Sequence, residues 1–180
     1  FPTRRSSDLK MLDVKVTELI NTQINKEFYF AYLYIDFANF YKNKGLDGFS
    51  NWYMVQAQEE RDHAMLFLKY LQNNNVRVVL EAVDKPEIPM ESLMDPLKAG
   101  LAHEEYVTGL INTIYDAAQK AKDFRTMQFL DWFIKEQGEE ETNAHDLITK
   151  MELFGTDPKG LYMLDNELKA RVYTAPSLVI

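Results

Sequence analysis

No proline occurs between Met11 and Lys85, and the six prolines of the 180-residue chain stand at positions 2, 86, 89, 96, 158 and 176. Proline lacks the amide proton that a helix interior needs and clashes with the preceding turn. Its placement therefore leaves long windows open to helix and marks the breaks between them. In the first window Val16, Leu19, Ile20, Ile24, Phe28, Ala31, Ile35 and Ala38 recur at steps of three and four, which predicts an amphipathic helix over roughly Asp13 to Lys44. Asn43, Gly45 and Gly48 supply turn chemistry. The period then resumes through Phe49, Trp52, Tyr53, Gln56, Met65, Leu68 and Leu71 until Asn73, Asn74 and Asn75 end a second helix. A connection this short makes the two helices antiparallel neighbours.

The stretch from Val76 to Met90 carries a β-branched run and two prolines, too long and too interrupted for a helical turn, and reads as a crossover. Ser92, Asp95 and Pro96 resemble a helix start, and Leu97, Leu101, Val107, Ile111, Ile114 and Ala118 continue it as a third helix. After Lys122 and Asp123 a fourth follows through Phe129, Leu130, Phe133, Ile134, Leu147 and Met151 and closes at Gly155. Leu161, Leu164 and Leu168 after Pro158 predict a short fifth helix. The expected fold is all-α: two helical hairpins joined by one long crossover between the second and third helices, the topology of a ferritin-like four-helix bundle, with a short C-terminal helix added.

Composition narrows the chemistry. The chain has no cysteine, which removes thiolate ligands, disulfides and cysteine nucleophiles and fits a reducing cytoplasm, the expected location. The first ten residues lack periodicity and are expected to be an extension foreign to the fold, with residues 11–180 forming one domain. They carry three cations and one anion, so the remainder is more acidic than the net charge of −8 indicates, at −10. An acidic surface disfavours nucleic acid and anionic membranes and tolerates metal cations. No apolar stretch approaches the ~18 residues that would cross a bilayer. Any metal must be held by oxygen and imidazole.

Glu60 and His63 lie three residues apart on the second helix and so share one face, from which they can grip one ion. On its own this spacing is more often a solvated charged stretch. Glu27, however, falls inside the apolar stripe of the first helix, and Glu104 inside that of the third, where an unpaired carboxylate is costly. On the fourth helix Leu130, Phe133, Gln137 and Glu140 continue one stripe into an acidic run. Di-iron carboxylate bundles take one Glu from each of two helices and a Glu-x-x-His from each of the other two. Here one Glu-x-x-His is replaced by Gln137-x-x-Glu140, which predicts an asymmetric site. Carboxylates with one imidazole suit Fe²⁺, and also Mn²⁺ or Zn²⁺.

The segments Asn25 to Tyr29, Gln58 to His63, His103 to Thr108 and Trp132 to Glu141 resemble, in order, the four helix signatures of the bacterial non-haem ferritins, and the resemblance runs from Met11 to about Ala170. It implies a first iron held by Glu27, Glu60 and His63, a bridging Glu60, and a second iron served by Glu104 with Gln137 or Glu140. It further implies a third iron position at Glu59, Glu136, Glu139 and Glu140, and a redox or orienting role for Tyr34, to which the alternative is an ordinary core tyrosine. The implied activity is oxidation of Fe(II) by dioxygen or hydrogen peroxide and storage of ferric mineral in a homo-oligomeric shell of 24 copies, whose four-fold channels the fifth helix would line. The alternative is another diiron bundle, of bacterioferritin or rubrerythrin type. Haem is not expected, because Arg61 stands where a haem methionine would, and a cysteine-ligated iron is impossible. His103 and His145 lie outside any Glu-x-x-His and are expected at the surface or behind the ligands. Gly138 and Gly109, each costing ~1 kcal/mol in a helix relative to Ala, are expected to permit a close helix approach or local flexibility.

Overall fold

The computed structural model describes residues 12–180, so the ten-residue extension expected to be foreign lies outside the described residues. Five helices follow in order: α1 Val14–Asn43, α2 Asp47–Asn73, α3 Asp95–Lys120, α4 Phe124–Phe154 and α5 Pro158–Leu168. Among the described residues there is no strand. No helix among the described residues is long and apolar enough to cross a membrane.

Each break has a local cause. Asp13 caps α1 by accepting from the amides of Lys15 and Val16. Gly45, at φ 77°, makes the left-handed step between α1 and α2 that a side chain would resist. Asp123 caps α4 through the Thr126 amide, and Asp157 caps α5 through Gly160. The crossover is an extended strip seated on α1. Asn21 both donates to the Val79 carbonyl and accepts from its amide at 2.9 Å, and Asn25 donates to Ala82 at 3.1 Å. The start of α3 is where the sequence put it, but its chemistry differs: Asp95 accepts from the Glu91 and Ser92 amides and so fixes the turn before the helix.

Two apolar clusters fill the bundle. One contains Ile20, Ile24, Phe67, Leu71, Ile114 and Phe133. The other contains Phe37, Tyr41, Phe49, Leu97, Met151 and Leu168, and thereby ties α5 to the bundle end. Full burial of each such side chain contributes ~1.5–3 kcal/mol. The polar residues Glu27, Glu60, His63, Glu104 and Gln137 lie on the same buried faces.

Three expected core positions are instead exposed: Ile35, Met65 and Ile134. On α1 the buried face runs Ile20, Glu27, Tyr34, Tyr41 with Ile24, Ala31, Ala38, a repeat of seven. Ile35 is one step off that repeat and points outward, because antiparallel bundle packing keeps a seven-residue seam inward.

Candidate metal centre

Glu27 on α1 and Glu60 with His63 on α2 bring one ligand atom each to within 4.8 Å of one another. All three are buried, at 1%, 2% and 2% exposure, which excludes a solvated surface stretch. His63 Nδ1 lies 3.4 Å from Glu60 Oε2, as one turn of helix dictates. Trp132 and Phe133 pack against the imidazole, each with its ring centroid 5.7 Å away. Gln23, one turn before Glu27, donates to Glu27 Oε1 at 2.6 Å. Glu27 Oε2 is buried with no partner, an oxygen whose desolvation only a proton or a cation would offset.

A second constellation adjoins the first. Glu104 on α3 accepts a short hydrogen bond from the Tyr34 hydroxyl on α1. The Gln137 amide on α4 donates to its carboxylate at 3.3 Å and to its carbonyl at 3.2 Å. Glu140 accepts from Gln56 Nε2 at 2.9 Å, and Gln56 Oε1 is buried without a partner. A cavity of about 20 Å³, room for one water, is lined by Tyr34, Tyr53, Gln56, Glu104 and Glu140.

Four acids from four helices in so dry a place cannot all be ionised without a cation. Burial, then the charges of its neighbours, beginning with Glu60, raises the Glu27 carboxyl well above its ordinary range. Glu60 is raised in the same way by burial and then by Glu104. Burial and then Glu140 push Glu104 up to about 8. Tyr34 is likewise raised well above the usual phenol by burial and by the carboxylates of Glu104 and Glu60, so its hydroxyl keeps its proton and donates it. A divalent cation reverses these costs at once, and binding it releases protons. The hard oxygen donors with one imidazole fit iron(II).

The third acidic group is looser. Glu59 is partly buried and paired to Arg171 at 2.6 Å, Glu136 is half-buried, and Glu139 is exposed beside Lys135 at 3.5 Å. Among the described residues only Glu27, Glu60 and His63 form a compact metal-holding group. His145 is exposed. His103 is half-buried behind the site, its ring edge-on to Phe30 and 5.9 Å from Tyr34, and burial pushes it down to about 3, so it is neutral. Neither Gly109 nor Gly138 brings helices together, for a Cβ at either position meets nothing within 4 Å. Close approaches lie instead at Gly48, against α5, and at Gly100, where a Cβ would stand 3.2 Å from the Tyr53 hydroxyl.

Sequence reasoning missed Gln23 and Gln56. Each precedes a buried Glu of its own helix by four residues, which was the available signal, but Gln56 reaches across to Glu140 rather than to Glu60.

The family model that matches is the ferritin-like domain, over residues 17–154. The bacterial non-haem ferritin of Campylobacter jejuni is 36% identical over 159 residues, which cover 88% of this chain and 95% of that one. That of Staphylococcus saprophyticus is 34% identical, with 91% and 98% covered. Among solved structures, an Archaeoglobus fulgidus ferritin engineered into a closed form superposes with a TM-score of 0.88 at 40% identity, covering 91% of this chain and 99% of that one. The open-pore ferritin of the same archaeon gives 0.87 at 40% identity, with coverage of 89% and 98%. With its two hairpins, single crossover and buried carboxylates in this setting, the chain belongs to the ferritin-like family and has the bacterial non-haem ferritins among its relatives.

Proposed function

We propose that this protein stores iron and acts as a ferroxidase, taking in Fe(II) and depositing it as ferric mineral. The observation that carries this reading is the buried group Glu27, Glu60 and His63, whose donors converge within 4.8 Å and leave one carboxylate oxygen unpartnered. These three residues hold the first Fe(II), with Glu60 bridging to a second that is completed by Glu104 and by Gln137 or Glu140. Two Fe(II) about 3.5–4 Å apart act on one small molecule together. They supply the two electrons that reduce dioxygen to hydrogen peroxide, or hydrogen peroxide to water, while two protons are taken up.

The protein's part is placement. Gln23 turns Glu27, and Tyr34 with Gln137 holds Glu104 from opposite helices. Tyr34 sits where it can also pass an electron to the site. Glu59, Glu136, Glu139 and Glu140 take a third iron. No haem takes part.

Copies of the chain assemble as a 24-subunit shell in the cytoplasm. Exposed Tyr32, Ile35 and Met54 line a groove of about 550 Å³ with Phe28 and Val83, and an apolar surface of that kind is what subunit contact would cover.

The experiment is to soak crystals anaerobically in Fe²⁺ and locate the metal by anomalous scattering, with oxidation followed in solution. Two peaks flanking Glu60, a shell of hundreds of kilodaltons and oxidation faster than in buffer are expected. Iron bound elsewhere, or a small species that oxidises iron no faster than buffer, would sink the reading.

A further inference from the structure

The chain does not leave the bundle after α5. Asn51 on α2 donates to the carbonyls of Leu168 at 3.2 Å and Arg171 at 3.0 Å, which turns the segment back along α2. Arg171 then lays its guanidinium over the Trp52 ring, 4.0 Å from the centroid, and donates to the Trp52 carbonyl at 3.3 Å. Its other nitrogen meets Glu59 Oε2 at 2.6 Å, and the two side chains are only 16% and 18% exposed. Further on, Tyr173 donates to Asp62 on α2, and Ser177 accepts from the Trp132 indole on α4 at 3.0 Å. The last residues thus form a strap from α2 to α4, with Arg171 seated on Glu59, one of the carboxylates assigned above to a third iron.

We infer that Arg171 is the built-in counter-cation of that third position, so that a divalent ion binds Glu59 only by displacing the guanidinium. The inference rests on the assignment of Glu59 to the third iron. Arg171 holds one of the two oxygens of Glu59, and a guanidinium left in place would face a doubly charged ion across the same carboxylate. A planar fork that is both paired and stacked is a strong holder, more so than a lysine would be. The strap therefore makes the third position the weakest, keeps Glu59 neutralised while it is empty, and releases Trp52 when it fills.

The test is anaerobic titration of the whole protein with Fe²⁺, with calorimetry counting equivalents per subunit. Trp52 emission is taken as the part of the signal that is lost in Trp52→Phe, which keeps Trp132 and its bond to Ser177. In the native protein the third equivalent binds last, and it alone changes Trp52 emission. In Arg171→Gln the third equivalent tightens by ~10-fold or more, the size expected for loss of a close charge competitor. Its binding then no longer moves Trp52, and the first two equivalents are unchanged. Tyr173→Phe, which loosens the same strap and keeps the guanidinium, tightens the third equivalent less. A third equivalent of equal affinity in the native protein and both variants overturns the inference and leaves the third iron standing. Two equivalents only, in all three proteins, overturns both the inference and the third iron, while the two-iron centre survives.

Discussion

The hydroxyl of Tyr34 on α1 donates to the carboxylate of Glu104 on α3, joining the two hairpins of the bundle at the level of the acids. Tyr34 and Glu104 are both buried, at 1% and 2% exposure. Replacing Tyr34 by Phe leaves a buried carboxyl short of a donor, a loss of ~1–3 kcal/mol. Denaturant unfolding of the metal-free protein should show it as a lower midpoint. Bound metal should narrow the gap, and an unchanged midpoint without metal would show the bond to be idle.

Stability without metal should fall as pH rises. Glu104 is pushed up to about 8 and Glu59 to about 7, chiefly by burial, against an ordinary 4.5. Glu27 and Glu60 are raised in the same direction. A carboxyl whose folded value lies above its unfolded value binds more protons when folded. Its contribution is whole below about 4.5 and is lost as pH climbs through 7 to 8. Thermal unfolding of metal-free protein at pH 5 and pH 8 should show the lower midpoint at pH 8, and Zn²⁺ should raise the pH 8 midpoint more than the pH 5 one. A flat profile counts against a cluster of coupled acids.

Glu60→Gln should separate stability from function. It keeps the shape and removes a buried charge repelled by its neighbours, so the metal-free protein at pH 8 should melt higher. Calorimetry should at the same time show Fe²⁺ affinity at the paired site falling by at least ~10-fold, the scale of one lost ligand interaction of about 1.4 kcal/mol. A variant that melts lower than the parent would mean that Glu60 is satisfied without metal.

Two glycines should answer oppositely to alanine. At Gly48 a Cβ would stand 1.7 Å from the Asp165 carbonyl oxygen, so α5 must be pushed off the bundle, at a cost of about 3 kcal/mol or more. At Gly138 there is open space and ordinary helix, and alanine should stabilise by up to ~1 kcal/mol. Unfolding midpoints of the two variants decide it. A stabilised Gly48→Ala would put α5 elsewhere.

The helices, the crossover and the inward acids were legible because each depends on local spacing. Glu60 and His63 share a face whatever surrounds them, and Glu27 and Glu104 betray themselves by interrupting apolar stripes. Ile35, Met65 and Ile134 were misread because a composition of apolar residues at steps of three and four does not say which flank of a stripe turns inward. The Gln56 to Glu140 bond, the return of Arg171 to Glu59 and the Asp165 cap join residues 84, 112 and 117 positions apart. No periodicity within a helix encodes such pairings. Of the two roles expected for Gly109 and Gly138, the close helix approach failed for a related reason: a glycine announces freedom, and only packing reveals whether a neighbour uses it.

Asp165 lies buried on α5 and accepts from the amides of Gly48 at 2.7 Å and Phe49 at 3.1 Å. The first turn of α2 therefore borrows its cap from a residue made 117 positions later. On a ribosome the first hairpin emerges and pairs with that turn still frayed, and the loop that must close to finish it spans most of the chain. α5 is in this sense the clasp of the fold, closing the first turn of α2 only after the rest of the bundle has been made.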